Sequence, residues 1–203
     1  TIVRQMRRAC TDIGLAAPAP ELVRANIGLG VEHVAHHYTG NDPEKSAQLA
    51  ARYRALSAEE YMSWNAPLDP LYDGVRNALK ALSNAGYLTG IITNKGRAGL
   101  TSLLEQHELT SLLDVTVTPN ETIPKPAPDM AIEAMRRVGV EKHRCVLIGD
   151  TRTDAICARN VGIQFIAVSW GYNTPEILHA EGAIAVLSDF SDLPDLVSRV
   201  LPA

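Results

Sequence analysis

Three cysteines in 203 residues, Cys10, Cys145 and Cys157, stand in no C-x-x-C spacing. An odd count without a repeating framework excludes a disulfide scaffold and predicts buried thiols in a reducing compartment, by default the cytoplasm. No apolar run reaches membrane-spanning length and no signal-peptide pattern is visible, so neither a membrane partner nor export is expected. Positive charge is not in excess either: 19 Lys and Arg stand against 23 Asp and Glu, a net charge of −4. With an isoelectric point near 5.8, that argues against nucleic acid as the main partner. The one basic cluster, Arg4, Arg7 and Arg8, reads as the wet face of a helix. There is no initiator Met, internal repeat or low-complexity segment. Ile2, Val3, Met6, Cys10 and Ile13 already follow helical spacing with no cap ahead of them, so the chain reads as one entered partway along.

What is present is ordinary globular composition, 46% hydrophobic and 21% charged, in a chain long enough for one sizeable core with a smaller companion. Residues 1–66 read as helical throughout. A first helix ends near Gly14, then helices follow around Glu21–Ile27, Val31–Tyr38, Pro43–Ala55 and Ala58–Trp64. This is the pattern of a small all-helical cap. His33, His36 and His37 share a helical face, but no carboxylate or thiolate on a facing element is identifiable. The plain reading, a structural histidine face, is therefore favoured over a metal site.

Composition shifts at Ala66–Pro70, read as a hinge. From 67 to 203 strands and helices alternate, which predicts an α/β core with a Rossmann-like parallel sheet. Expected strands are Leu88–Ile92, Val115–Thr118, Val146–Ile148, Gln164–Ser169 and Ala183–Leu187. Expected helices follow Gly74, run through Leu100–Leu104, cover Asp129–Val138 and Thr153–Val161, begin near Pro175, and bury Leu193, Leu196, Val197 and Val200. The apolar run Val146–Ile148 has the look of a strand buried on both faces. Between the second and third strands lies Ile123-Pro-Lys-Pro-Ala-Pro128, where three prolines exclude regular structure.

Chemistry-bearing residues gather where these strands end, which is where open parallel sheets bind ligands. Thr93 and Asn94 offer a hydroxyl, an amide and backbone donors at a strand-to-helix turn, suited to an anion. They are also common helix caps. Lys125 is aimed by flanking prolines, which lowers the entropy lost on meeting a charged group; its plainer reading is a solvated lysine. Asp150 and Asp154 follow Gly149 at the mouth of a helix and could hold a hard cation such as Mg²⁺ through oxygen and water. Acids there also serve as caps, Thr153 and Asp154 more naturally than Asp150. An anion cradle, an oriented cation and an acid pair together describe phosphoryl transfer.

The ordered set Thr93-Asn94, Lys125-Pro126-x-Pro128 and Gly149-Asp150-x-x-x-Asp154 resembles motifs two to four of the haloacid dehalogenase superfamily, and most of all its phosphoglycolate-phosphatase-like members with a helical cap. The resemblance spans nearly the whole chain, with 1–66 as cap and 67–203 as core. It implies an Mg²⁺-dependent phosphatase acting on a small phosphorylated metabolite through an aspartyl-phosphate. Thr93 would bind the phosphoryl group with Asn94 nearby, and Lys125 would neutralise nucleophile and phosphoryl oxygens. Asp150 would bind Mg²⁺, and Asp154 would support the metal through water or hydrogen bonds. The cap would open and close with hinges near Pro18 and Pro67 and select the leaving group. Its loops, around Gly28–Gly30 and Thr39–Pro43, carry no decisive substrate chemistry, and nothing in the sequence sets an oligomeric state.

The family's first motif, D-x-D, carries the nucleophilic Asp and the general acid/base, and no Asp-x-Asp occurs in these residues. In the family its strand lies between those leading to Thr93 and Asp150. Without it, ladder groups on both neighbours lack partners, so the 203 residues alone are expected to fold poorly unless another segment fills the gap or the neighbours close up. They are also expected to show no phosphatase turnover. Two alternatives stand beside the phosphatase. A catalytically inactive module binding a phosphorylated ligand or protein fits a truly absent first motif. A haloacid dehalogenase needs no metal, and the full acid pair counts against it.

Overall fold

From Ile2 to Met62 every regular element is a helix: α1 (Ile2–Asp12), α2 (Pro20–Ala25), α3 (Val31–Tyr38) and α4 (Pro43–Met62). The structure is a computed structural model that describes residues 1–62 and 70–201, with side chains at 1–60 and 70–201. The chain divides into two units, Thr1–Pro67 and Leu68–Ala203. The expected hinge at 66–69, with Pro67, and the helix end expected at Trp64 lie outside the described residues.

In the first unit, Met6, Ala9 and Cys10 of α1 pack with Val23, Val34, Ala35, Leu49, Ala50 and Leu56, while Ile2, Val3 and Ile13 flank them. Arg4, Arg7 and Arg8 are exposed on the other side of α1, as its stripe predicts. The expected break between Ala55 and Ala58 is absent, and α4 runs through as one helix of 20 residues. No glycine or proline follows Pro43 within it, so nothing local stops it. Leu56 is buried, and Ser57 Oγ donates to Gln5 Oε1 at 3.0 Å. Ser57, inside the expected break, is thus a tie between α1 and α4. Glu60 extends that tie, accepting from Arg4 and Gln5, each at 2.7 Å. Among the histidines, His36 Nδ1 lies 3.2 Å from Ser46 Oγ, and no group of three metal-binding side chains occurs among the described residues.

The second unit alternates as its sequence predicts: α5 (Val75–Asn84), β1 (Gly90–Ile92), α6 (Arg97–Gln106), β2 (Val115–Val117), α7 (Asp129–Val138), β3 (Val146–Gly149), α8 (Arg152–Val161), β4 (Gln164–Val168), α9 (Pro175–Ala180), β5 (Ala185–Leu187) and α10 (Leu193–Val200). β1 begins two residues later than expected. Leu88 is exposed, and at Thr89 the N–H donates to the Asp114 side chain at 2.7 Å while the carbonyl accepts from Asp114 N at 2.8 Å, so a carboxylate takes the place of one ladder acceptor at the entry to this strand. All pairings are parallel, in two ladders: β1 beside β2, with Ile91 opposite Thr116, and β3-β4-β5, with Ile148 opposite Ile166.

Period-two alternation sends β4 into two cores. Phe165 and Ala167 meet Ala131 of α7, Ala155 and Ala158 of α8 and Leu178 of α9. Ile166 and Val168 meet Ala78 and Leu82 of α5 and Leu193 and Val197 of α10. β3 divides in the same way, Leu147 to one face and Val146 and Ile148 to the other. Helices thus cover both faces, as in doubly wound α/β folds. Ile92 of β1 joins the core under α7 and α8, so the two ladders share one apolar layer although no strand ladder links β1 to β3 among the described residues.

Candidate functional site

The loop after α8's preceding strand is shaped by a capping box. Thr151 is the N-cap of α8: its hydroxyl accepts from Asp154 N, while Asp154 Oδ2 accepts from Thr151 N at 3.0 Å and from Thr151 Oγ1 at 2.6 Å. The cap is therefore Thr151, two residues earlier than expected, and Asp154 occupies the third helical position. The T-x-x-D spacing is the sequence signal for this arrangement. Asp154 packs so closely on Gly149 that a Cβ there would sit 2.6 Å from Asp154 Cβ.

The other oxygen of Asp154 meets Lys125. Nζ lies 2.6 Å from Asp154 Oδ1 and donates to Ile92 O at 2.9 Å. The two side chains are only 12% and 7% exposed, which rules out the solvated-lysine reading. Asn94 aims this lysine from below: its Oδ1 accepts from Lys125 N at 2.9 Å and its Nδ2 donates to Lys125 O at 2.8 Å. The side-chain amide, expected to face an anion, is thus engaged by the main chain of the proline loop. An ammonium has three N–H donors, and among the described residues two of those on Lys125 have protein acceptors. The Lys125–Pro126 peptide is cis.

Thr93 follows β1. Its N–H donates to Val117 O at 3.1 Å, and its Oγ1 accepts from Lys95 N at 3.1 Å. That turn fixes the hydroxyl oxygen, and the O–H is a donor with no acceptor among the described residues. Asp150 follows β3, half-buried, with Oδ2 accepting from Tyr172 N at 3.0 Å. Burial pushes its carboxyl above the ordinary value; the Tyr172 N–H opposes this and the Asp154 charge adds to it. Such a cost of ionisation falls when a cation arrives. Cys157 lies behind the site, fully buried, its thiol pushed up to about 11 by desolvation, so it is inert beside the reactive groups.

The structure therefore draws Lys125, Asn94, Asp154 and Thr151 into one network, with Thr93 at the adjoining strand end and Asp150 one residue before the cap. Two carboxylates with hard oxygen donors fit Mg²⁺, which binds through one or two carboxylates and keeps several waters. They do not make a closed cage, in keeping with the absence of any three-ligand group among the described residues. Sequence reasoning missed Thr151 and the clamp by Asn94. The first had a signal in T-x-x-D; the second spans 31 residues and has none.

A family model, haloacid dehalogenase-like hydrolase, matches residues 1–168. A phosphoglycolate phosphatase from Cupriavidus necator is 32% identical over 210 residues, covering 100% of this chain and 89% of the relative. A phosphoglycolate phosphatase from Nitrosospira multiformis is 29% identical over 192 residues, 93% of this chain and 84% of that one. Among solved structures, a predicted phosphatase from Clostridium acetobutylicum superposes with a TM-score of 0.83 at 19% identity, covering 98% of this chain and 90% of the other. The match to the family model over most of the chain, together with an α/β fold shared with solved relatives, identifies this chain as a member of the haloacid dehalogenase-like hydrolases.

Proposed function

We propose that this protein is an Mg²⁺-dependent phosphomonoesterase for a small phosphorylated metabolite, of which phosphoglycolate is one candidate. The observation that carries the reading is Lys125: a buried ammonium fixed by Ile92 O and Asp154, with its third N–H, which has no acceptor among the described residues, available to an anionic oxygen. The two phosphoglycolate phosphatases to which the chain is similar support the substrate class.

In this reading Lys125 neutralises charge on the phosphoryl oxygens, and Thr93 donates its hydroxyl to one of them. Asp150 is the direct Mg²⁺ ligand. Asp154, with three hydrogen bonds already on its carboxylate, supports the metal through water and holds Lys125. The bound Mg²⁺ would supply charge neutralisation at the transferring group. Asn94 keeps the lysine's main chain in place. We assign residues 1–66 as the cap that selects the leaving group and residues 67–203 as the catalytic core. The compartment proposed is the cytoplasm, in keeping with three free cysteines.

The nucleophile is the remaining part. We propose that it is an Asp on a further parallel strand joining the facing edges of β1 and β3, forming the aspartyl-phosphate. The separate ladders and the Ile92 carbonyl, which takes a side-chain donor in place of a strand partner, support this.

The test is phosphate release by the intact protein from a panel that includes phosphoglycolate and p-nitrophenyl phosphate, with Mg²⁺ or EDTA. Turnover that EDTA abolishes and Mg²⁺ restores is expected, with Lys125→Ala lowering kcat by roughly 10²–10³-fold, the loss typical of one transition-state donor. Chloroacetate dehalogenation without metal would instead establish the dehalogenase reading. Phosphorylated-ligand binding without turnover would establish the binding module.

A further inference from the structure

A second loop meets Asp150, from the far end of β4. Residues 171–173 touch the segment 150–152 at four places. The Tyr172 N–H donates to Asp150 Oδ2 at 3.0 Å, and the Asn173 N–H donates to Asp150 O at 3.1 Å. Asn173 Oδ1 accepts from Arg152 N at 2.8 Å. Gly171 lies flat against the Asp150 side chain: a Cβ there would overlap Asp150 Cβ and come within 2.6 Å of Oδ2 and 2.7 Å of Cγ. This is a problem of space and not of a left-handed backbone, because the nearest atom is the Asp150 Cβ, whose place is set by its own main chain.

These contacts act on one torsion and one position. With Oδ2 held by a backbone donor and the main chain held at its carbonyl, the Asp150 carboxylate cannot turn freely. Asn173 satisfies a first-turn N–H of α8, which has no intrahelical acceptor, and so ties the start of that helix to the same loop. Below the loop, Glu181 at the end of α9 binds Arg152 at 2.6 Å and Arg159 at 3.0 Å, so α8 and the end of α9 are joined again.

We propose that Gly171 and Asn173 are positioning residues for the metal-binding carboxylate of Asp150: Gly171 by leaving the space it occupies, Asn173 by fixing the turn that carries it. The proposal rests on the reading of Asp150 as an Mg²⁺ ligand. Groups that orient a ligating carboxylate change metal affinity by roughly 10- to 100-fold when altered, and they do so without touching the metal.

The experiment is Mn²⁺ titration of the intact protein without substrate, followed by electron paramagnetic resonance of the free ion, with Mg²⁺ as competitor. Wild type, Gly171→Ala, Asn173→Ala and Asn173→Asp are compared. Asn173→Asp keeps an oxygen acceptor for Arg152 N, whereas Asn173→Ala removes it. The expected result is Mn²⁺ and Mg²⁺ binding weakened roughly 10- to 100-fold in Gly171→Ala and Asn173→Ala, with Asn173→Asp close to wild type. Should Gly171→Ala fail to fold, the Asn173 pair decides alone. Wild-type affinity in Asn173→Ala overturns the proposal while leaving the metal reading intact. Absence of Mn²⁺ and Mg²⁺ binding to wild type overturns the metal reading itself, and the proposal with it.

Discussion

A buried ammonium persists only where its charge is matched, and at Lys125 the match is Asp154 at 2.6 Å. Removing one member leaves the other buried and unpaired. Lys125→Met is therefore expected to destabilise the fold by about 3–5 kcal/mol, and Lys125→Met combined with Asp154→Asn to recover part of that loss, because the amide still accepts from Thr151. Urea denaturation of the single and double variants measures both; a neutral single substitution would show that the pair carries no such tension. Lys125 and Asp150 stand out in the sequence as candidates because proline spacing and strand ends are local patterns. The work of Asn94 was hidden because its partners at Lys125 are set by how β1 and the proline loop come together. A side chain's hydrogen-bond partners across 31 residues leave no mark on periodicity.

Among elements, the tie between α1 and α4 gives the helical unit a pH dependence. Glu60 pays a desolvation cost that raises its pKa, yet hydrogen bonds from Arg4, Gln5 and Thr1 outweigh it, so its carboxyl is held below the ordinary 4.5. The folded state then binds fewer protons than the unfolded state in the window below 4.5. Stability from this group is present above that window and lost as pH falls through it. Glu60→Gln is expected to lower stability by about 1.5–3 kcal/mol at pH 7, the range for hydrogen bonds to a charged group, with the difference shrinking as pH falls below 4.5. Thermal unfolding of both forms from pH 3 to 7 checks this, and a difference independent of pH would contradict it. At this scale the sequence was most legible: α3, α7 and α10 lie where hydrophobic spacing and end signals put them. It was less legible at the expected break between Ala55 and Ala58, where α4 runs on and Ser57 faces Gln5, and at the start of α8, where the cap is Thr151 rather than Thr153.

For the whole molecule, the arrangement of strands matters more than any single one. Alternation in β3 and β4 separates the two cores so cleanly that a sheet covered on both faces was foreseeable from Val146–Ile148 alone. The division into two ladders was foreseeable only through the family resemblance, since no local pattern says which strands become neighbours. Lys125, reaching Ile92 of one ladder and Asp154 beside the other, adds a polar link to the apolar layer that they share. On the proposed reading, this lysine and Asp150 act with a carboxylate nucleophile on a strand between β1 and β3. The direct measurement is Mg²⁺-dependent phosphate release from p-nitrophenyl phosphate by these 203 residues alone, and by the same residues preceded by a β-strand ending in Asp-x-Asp-x-Thr. The predicted result is no turnover by the first and turnover by the second that is lost on changing the first Asp to Asn. Turnover by the 203 residues alone, or turnover by the second that survives the Asp-to-Asn change, would contradict it.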